Sequence, residues 1–204
     1  MNEVRTSEEK IKIAAKQIFL KKGFARCTTR EIASESGVNL ALVNYYFKSK
    51  ELLFQIVFQS MMEEFMNGMI EVFGTTISLK DKLKILIERE FEFYSTNPDL
   101  PGFILNEIGK NSVLADQNKQ AFISIQNSGI FEEALREQAK GKMRKLDMFE
   151  LTLLIMSNCQ FPFVSRPLMS TLMDLDELTL KNKLMEYRNV VSEMLMNYIF
   201  LHEK

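Results

Sequence analysis

An all-α fold is predicted by three features of the 204-residue chain. Apolar residues recur at spacings of three and four, no segment sustains the alternation of a strand, and cap-forming side chains stand at the heads of the apolar runs. Thr6 and Glu9 have capping-box spacing, and Ile11, Ala14, Ala15, Ile18 and Phe19 follow as one helical face up to a stop at Gly23. Thr28 and Glu31 repeat the box, so a second helix starts near Thr29, turns Ile32 and Ala33 inward and closes near Ser36 with Gly37 beyond it. Asn39 offers the next cap oxygen, to a short helix of Leu40, Ala41, Leu42, Val43 and Asn44 running into Tyr45, Tyr46 and Phe47. Ser49 caps a fourth helix carrying Leu52, Leu53, Ile56, Val57, Met61, Phe65 and Met69 to near Gly74, about 35 Å at ~1.5 Å per residue. Further helical runs fall at residues 79–94, 102–109, 117–141, 147–160 and 179–201.

The two short helices on either side of Gly37 have the spacing of a helix-turn-helix. The second suits a major groove, because small and polar side chains in its first turns let the backbone approach base edges. Leu40 and Ala41 are candidates for a thymine methyl, and the amide of Asn44 matches adenine. Thr28, Thr29, Tyr45, Tyr46, Lys48 and Lys50 are candidates for phosphate oxygens, which position a protein without carrying sequence information.

Residues 6–54 resemble the N-terminal domain of TetR-family transcriptional regulators. The resemblance is carried by Ile18-Phe19, Gly23-Phe24, Thr28-Thr29, Ile32-Ala33, Gly37-Val38, Val43, Tyr46-Phe47 and Ser49-Lys50-Glu51-Leu52. Three positions depart from it: Asn39 where Ser or Thr is usual, Ala41 where Gly is common and Asn44 where Tyr is common. The first two keep a cap and a small residue. Asn44 exchanges an aromatic for an amide and thereby changes the base preference expected of the helix.

Charge is divided along the chain. Residues 1–50 hold ten Lys/Arg against five Asp/Glu, a net of +5, whereas residues 51–204 hold sixteen against twenty-two, a net of −6. The overall −1 thus conceals a basic head, and local phosphate neutralisation sets affinity for DNA. The boundary is expected at residue 50: residues 1–50 form the DNA-binding domain and residues 51–204 a larger helical domain for ligand binding and dimerisation.

That larger domain holds most of the thirteen Met and sixteen Phe, with no Trp, and methionine adapts to irregular ligands as readily as it fills a core. Candidates for an apolar or amphipathic ligand are Met62, Phe65, Met66 and Met69, with Phe91, Tyr94, Phe103, Phe122, Met156, Cys159 and Phe163. Asn106, Glu107, Asn158 and Gln160 either orient such a ligand or face water. The last helix carries Leu180, Leu184, Tyr187, Val191, Met194, Leu195 and Tyr198 on one broad face, too apolar for a solvated helix. The resemblance implies that it pairs with residues 149–161 in a four-helix interface between two copies. A two-fold homodimer then places two readers about 34–36 Å apart on a pseudo-palindromic operator.

Other classes find less support. The only histidine is His202, near the C-terminus, and no Ser or Cys has an evident base partner, so no catalytic residue is assigned. Glu88, Glu90 and Glu92 read as a mixed solvated face. Cys27 and Cys159 suffice for neither a disulfide framework nor a metal site, and no cofactor is implied. The uncharged run 151–165 is too short for a bilayer, and with no signal peptide the chain is expected in the cytoplasm. The resemblance implies a repressor released from its DNA by a small molecule whose identity the sequence leaves open. The alternative is a helical ligand-binding or scaffolding protein whose N-terminal motif does not bind DNA.

Overall fold

In the computed structural model, residues 6–107 and 112–201 are described. His202 and the expected helix end at Gly109 lie outside them. The described residues form helices α1 Ser7–Lys22, α2 Thr29–Ser36, α3 Leu40–Phe47, α4 Lys50–Phe73, α5 Leu79–Thr96, α6 Leu100–Glu107, α7 Ser112–Asn127, α8 Ile130–Ala139, α9 Met148–Val164, α10 Arg166–Met173 and α11 Glu177–Ile199. Among the described residues the only strand-like pairing is an isolated bridge between Met143 and Phe200. The all-α architecture holds.

Two compact units divide the chain: Met1–Glu64 with Phe103–Ala121, and Phe65–Gly102 with Phe122–Lys204. Compactness therefore draws its line inside α4, fourteen residues beyond the domain boundary expected at residue 50.

In the first unit the caps act as their spacing predicts. Thr6 and Glu9 exchange bonds of 3.2 and 2.8 Å at the head of α1, and Ser49 Oγ accepts from the Leu52 N–H at 3.1 Å at the head of α4. Helix α1 packs on α2 and α3 through buried Ile11, Ala14, Ala15 and Phe19, met by Ile32, Ala33, Val43 and Phe47. Phe54 of α4 lies at the centre of an aromatic group, with ring centroids 5.0 Å from Phe19, 4.7 Å from Phe24 and 5.7 Å from Phe103.

In the second unit α5 contacts α8, α9 and α11. Leu83, Ile87 and Phe91 of α5 are buried, as are Leu151, Ile155, Cys159 and Phe163 of α9 and Leu180, Leu184, Val191, Leu195 and Ile199 of α11. Lys82 is buried on the same helix, and its ammonium meets Glu133 of α8 at 2.6 Å, so the charge taken out of water is paired.

Several boundaries differ from expectation, among them the starts of α6 at Leu100 and α7 at Ser112. The run 117–141 is two helices, because the chain turns at Ser128 and Gly129, where φ is 80° and a Cβ would be disfavoured. Helix α9 continues through Pro162 to Val164, since buried Cys159, Pro162 and Phe163 outweigh the one backbone bond that proline cannot make. Helix α10 was not anticipated, and α11 begins at Glu177 rather than Thr179 because Asp176 caps it, accepting from the Thr179 N–H at 2.8 Å.

Candidate nucleic-acid interface and a buried carboxyl

The head of α2 is fastened twice. Thr28 Oγ1 accepts from the Glu31 N–H at 3.2 Å, while Glu31 Oε2 accepts from the Thr28 N–H at 2.9 Å. The other Glu31 oxygen meets Lys22 Nζ of α1 at 2.7 Å, and this ammonium, with the Thr28 bonds, holds the carboxyl down at about 2. Gly37 then takes the left-handed conformation, φ 68°, that ends α2, and Asn39 Oδ1 accepts from the Leu42 N–H at 2.8 Å to start α3.

Burial of Val43 and Phe47 fixes the rotation of α3. Ala41, Asn44, Tyr45 and Lys48 are all exposed and recur at helical spacing, whereas Leu40 is half-buried. Tyr45 is 77% exposed and its ring stands edge-on to Tyr46 at 5.3 Å. At the end of the helix, Lys48 sits at φ 56°, ψ −44°, and the Ser49 N–H donates to the Phe47 carbonyl at 2.5 Å. That is a γ-turn of the uncommon, strained hand on a residue that is not glycine. Lys48→Gly should therefore raise stability by about 1 kcal/mol. Operator affinity should fall at the same time, with a salt-dependence slope smaller by about one; a thermal melt and a salt titration read the two effects. An unchanged salt slope would remove Lys48 from the phosphate contacts.

The remaining phosphate candidates divide. Thr28 spends its hydroxyl in the cap, Thr29 is half-buried, and Lys50 Nζ donates to the carbonyls of Phe24 and Cys27, both at 3.0 Å, while lying 4.3 Å over the Phe24 ring. The Lys50 ammonium thus clasps the loop between α1 and α2. Exposed Arg30 on α2 is a cation that the motif alone did not single out.

In the second unit the structure brings Phe91, Tyr94, Cys159 and Phe163 together. Phe163 lies 5.5 Å from Phe91 and 5.7 Å from Tyr94, and Tyr94 lies 6.4 Å from Phe65. Met69 is also buried, Met66 is half-buried, Met156 is exposed, and Phe122 rests on Phe131 at 6.2 Å. Met62 and Phe103 belong to the other unit, where Phe103 packs on Phe54 and Phe58. Asn158 turns back on the Leu154 carbonyl at 2.8 Å, and half-buried Gln160 lies beside the Tyr94 hydroxyl.

Glu90 overturns the solvated-face reading: Glu88 and Glu92 are exposed, but Glu90 is 6% exposed. Its position was available in the sequence, three residues after Ile87 and four before Tyr94 on the inward face. Burial pushes its carboxyl up to about 8, against a smaller downward pull from the Cys159 thiol. Cys159 and Cys27 are both buried with their thiols pushed up, so neither is a ready thiolate.

Of the residues expected on a dimer face, Leu180, Leu184, Val191 and Leu195 are spent inside the protomer's own core. Tyr187, Met194 and Tyr198 are exposed, joined by Val190 on α11 and by Phe149, Leu153, Met156 and Phe161 on α9.

Residues 13–57, which span α2, α3 and the turn between them, match the family described as "Bacterial regulatory proteins, tetR family". Residues 13–57 thus carry the N-terminal domain of TetR-family regulators. The chain is 27% identical over 141 residues to the Bacillus subtilis (strain 168) protein named "Probable HTH-type transcriptional regulator YttP", a match covering 66% of each chain. The chain thus spans just under two thirds of that relative's length. Its fold is similar to that of FadR from Bacillus subtilis in complex with stearoyl-CoA, at TM-score 0.68 and 21% identity over 95% of this chain and 98% of that one. A Saccharomonospora viridis structure in complex with choline is similar at TM-score 0.68 and 16% identity, over 96% and 98% of the two chains. Among the described residues, no helix is long and apolar enough to cross a membrane.

Proposed function

We propose that this TetR-family regulator is a repressor that binds a pseudo-palindromic operator as a homodimer and is released by a small apolar or amphipathic molecule. The observation that carries the DNA half is the exposed face of α3, where Ala41, Asn44, Tyr45 and Lys48 project together while Val43 and Phe47 hold the helix from behind. The exposed apolar residues of α9 and α11 support the dimer, and the stearoyl-CoA and choline held by the two similar structures support a ligand. Helix α4 runs through both compact units, so a ligand that favours one position of its second half biases the reader at its start. Such coupling amounts to ~1–3 kcal/mol and requires unequal affinity for two conformations.

Selection of bound DNA from a random pool tests the reading. A palindromic product with half-sites one helical turn apart is expected, and a pool without enrichment rejects operator recognition. Asn44→Ala should then relax preference at one base pair per half-site and cost about 1–3 kcal/mol on the selected operator, read by fluorescence anisotropy. An equal loss on every sequence would make Asn44 a positioning contact instead of a base reader.

A further inference from the structure

Two ionisable side chains, Lys82 and Glu90, are buried on α5, and they are treated differently. Lys82 has Glu133 at 2.6 Å, whereas Glu90 Oε2 has no hydrogen-bond partner, and no cation acts on that carboxyl among the described residues. A carboxyl buried without an ionic partner costs stability and returns none to the fold. Such groups concentrate at functional sites.

The surroundings say what completes this one. Phe65 and Phe93, half-buried and 4.8 Å apart, begin a series of rings that continues through Tyr94 at 5.6 Å from Phe93 and on to buried Phe163 and Phe91. Ring faces carry partial negative charge and attract cations. An anion is opposed by the ring faces and gains nothing from the Glu90 oxygen that lacks a donor, and an uncharged apolar guest leaves Oε2 as it was. We propose that Glu90, with the rings of Tyr94 and Phe163, receives the charged group of an organic cation, an ammonium or quaternary ammonium carrying an apolar substituent. The site deepens the ligand-responsive reading above and rests on it.

Binding also has a proton balance. The Glu90 carboxyl is neutral below about pH 8, so an entering cation leaves a carboxylate–cation pair and releases the carboxyl proton to solvent. Neighbouring groups do not interfere. Cys159 of α9 and Tyr94 are pushed up by burial and by Glu90, Glu133 of α8 is taken by Lys82, and Arg188 of α11 faces Glu92 at 3.9 Å.

Calorimetric titration of the full chain with benzyltrimethylammonium, its uncharged isostere neopentylbenzene and the anion phenylacetate tests the site. The cation should bind at least tenfold more tightly than either and release protons, as judged from two buffers of different ionisation enthalpy. Glu90→Gln should abolish the preference, and Phe163→Leu should weaken the cation several-fold with less effect on neopentylbenzene. Equal binding of the three probes to wild type, or undiminished cation affinity in Glu90→Gln, overturns the proposal. Operator binding by the ligand-free protein is measured in parallel. DNA binding without cation preference rejects this site alone, and cation preference without DNA binding rejects the regulator reading alone.

Discussion

Placing charge on the outer face of α11 with Val190→Glu and Met194→Glu is expected to yield a folded monomer whose operator affinity is lower by about a thousandfold. Val190 is 55% exposed, Met194 lies one turn further along, and Phe149 on α9 is 72% exposed. Apolar residues gathered in this way mark a surface that another chain covers. The opposite face of α11 is already used: Leu180, Leu184, Val191 and Leu195 are buried, and α11 packs on α5 and α9, so the two substitutions leave the protomer's core untouched. Two like charges repeated across a two-fold interface repel their symmetry mates and lose solvation. A monomer keeps only one half-site, and specific binding at 10⁻⁸ to 10⁻¹¹ M gives way to affinities of roughly 10⁻⁴ to 10⁻⁶ M. Sedimentation velocity and fluorescence anisotropy on the selected operator read the two effects. A variant that remains dimeric would place the interface on another face.

Glu90→Gln is expected to stabilise the ligand-free protein, and by an amount that depends on pH. The carboxyl has an ordinary value of 4.5 and a folded value of about 8, so below pH 4.5 it is protonated in both states and contributes no difference. Between the two values the unfolded chain ionises while the folded one holds its proton. Folding stability therefore falls as pH rises through this window, by roughly 1.4 kcal/mol per unit, and levels off above the folded value. At pH 7 the accumulated loss is about 3 kcal/mol. Glutamine has no proton to hold, but its buried amide is itself imperfectly satisfied, so a net gain of about 1–3 kcal/mol is the expected reading at neutral pH. The difference in melting temperature between wild type and variant should widen from pH 5 to pH 8. A difference that stays constant over that range would show that Glu90 does not change protonation on folding.

The reader helices were legible because their signals are local. A cap needs one oxygen three residues from one N–H, and the bonds at Thr28, Asn39 and Ser49 form where the spacing predicts them. Lys50 shows where local reasoning ends. Its partners, Phe24 and Cys27, lie 26 and 23 residues away, so a lysine that follows a basic, aromatic segment reads as a phosphate ligand until the fold closes over it. The same holds for α10, whose start after Ser165 and Arg166-Pro167 has no side-chain cap bond to announce it.

What the sequence determined by itself is the set of short-range choices: helical periodicity, the caps at Thr6, Thr28 and Asn39, the left-handed turn at Gly37 and the basic charge of the first fifty residues. Each rests on interactions within about one turn of chain or on composition, and folding need only permit them. Which side of each helix faces inward against a neighbour was decided by the tertiary structure. It spent Leu180, Leu184, Val191 and Leu195 inside the protomer, left Val190 and Met194 outside, and closed α5, α8 and α9 around two ionisable groups of which only Lys82 was given an ionic partner. Burial depends on which helices meet: the sequence put Glu90 in register with Ile87 and Tyr94, and packing then closed that face and separated Glu90 from exposed Glu88 and Glu92.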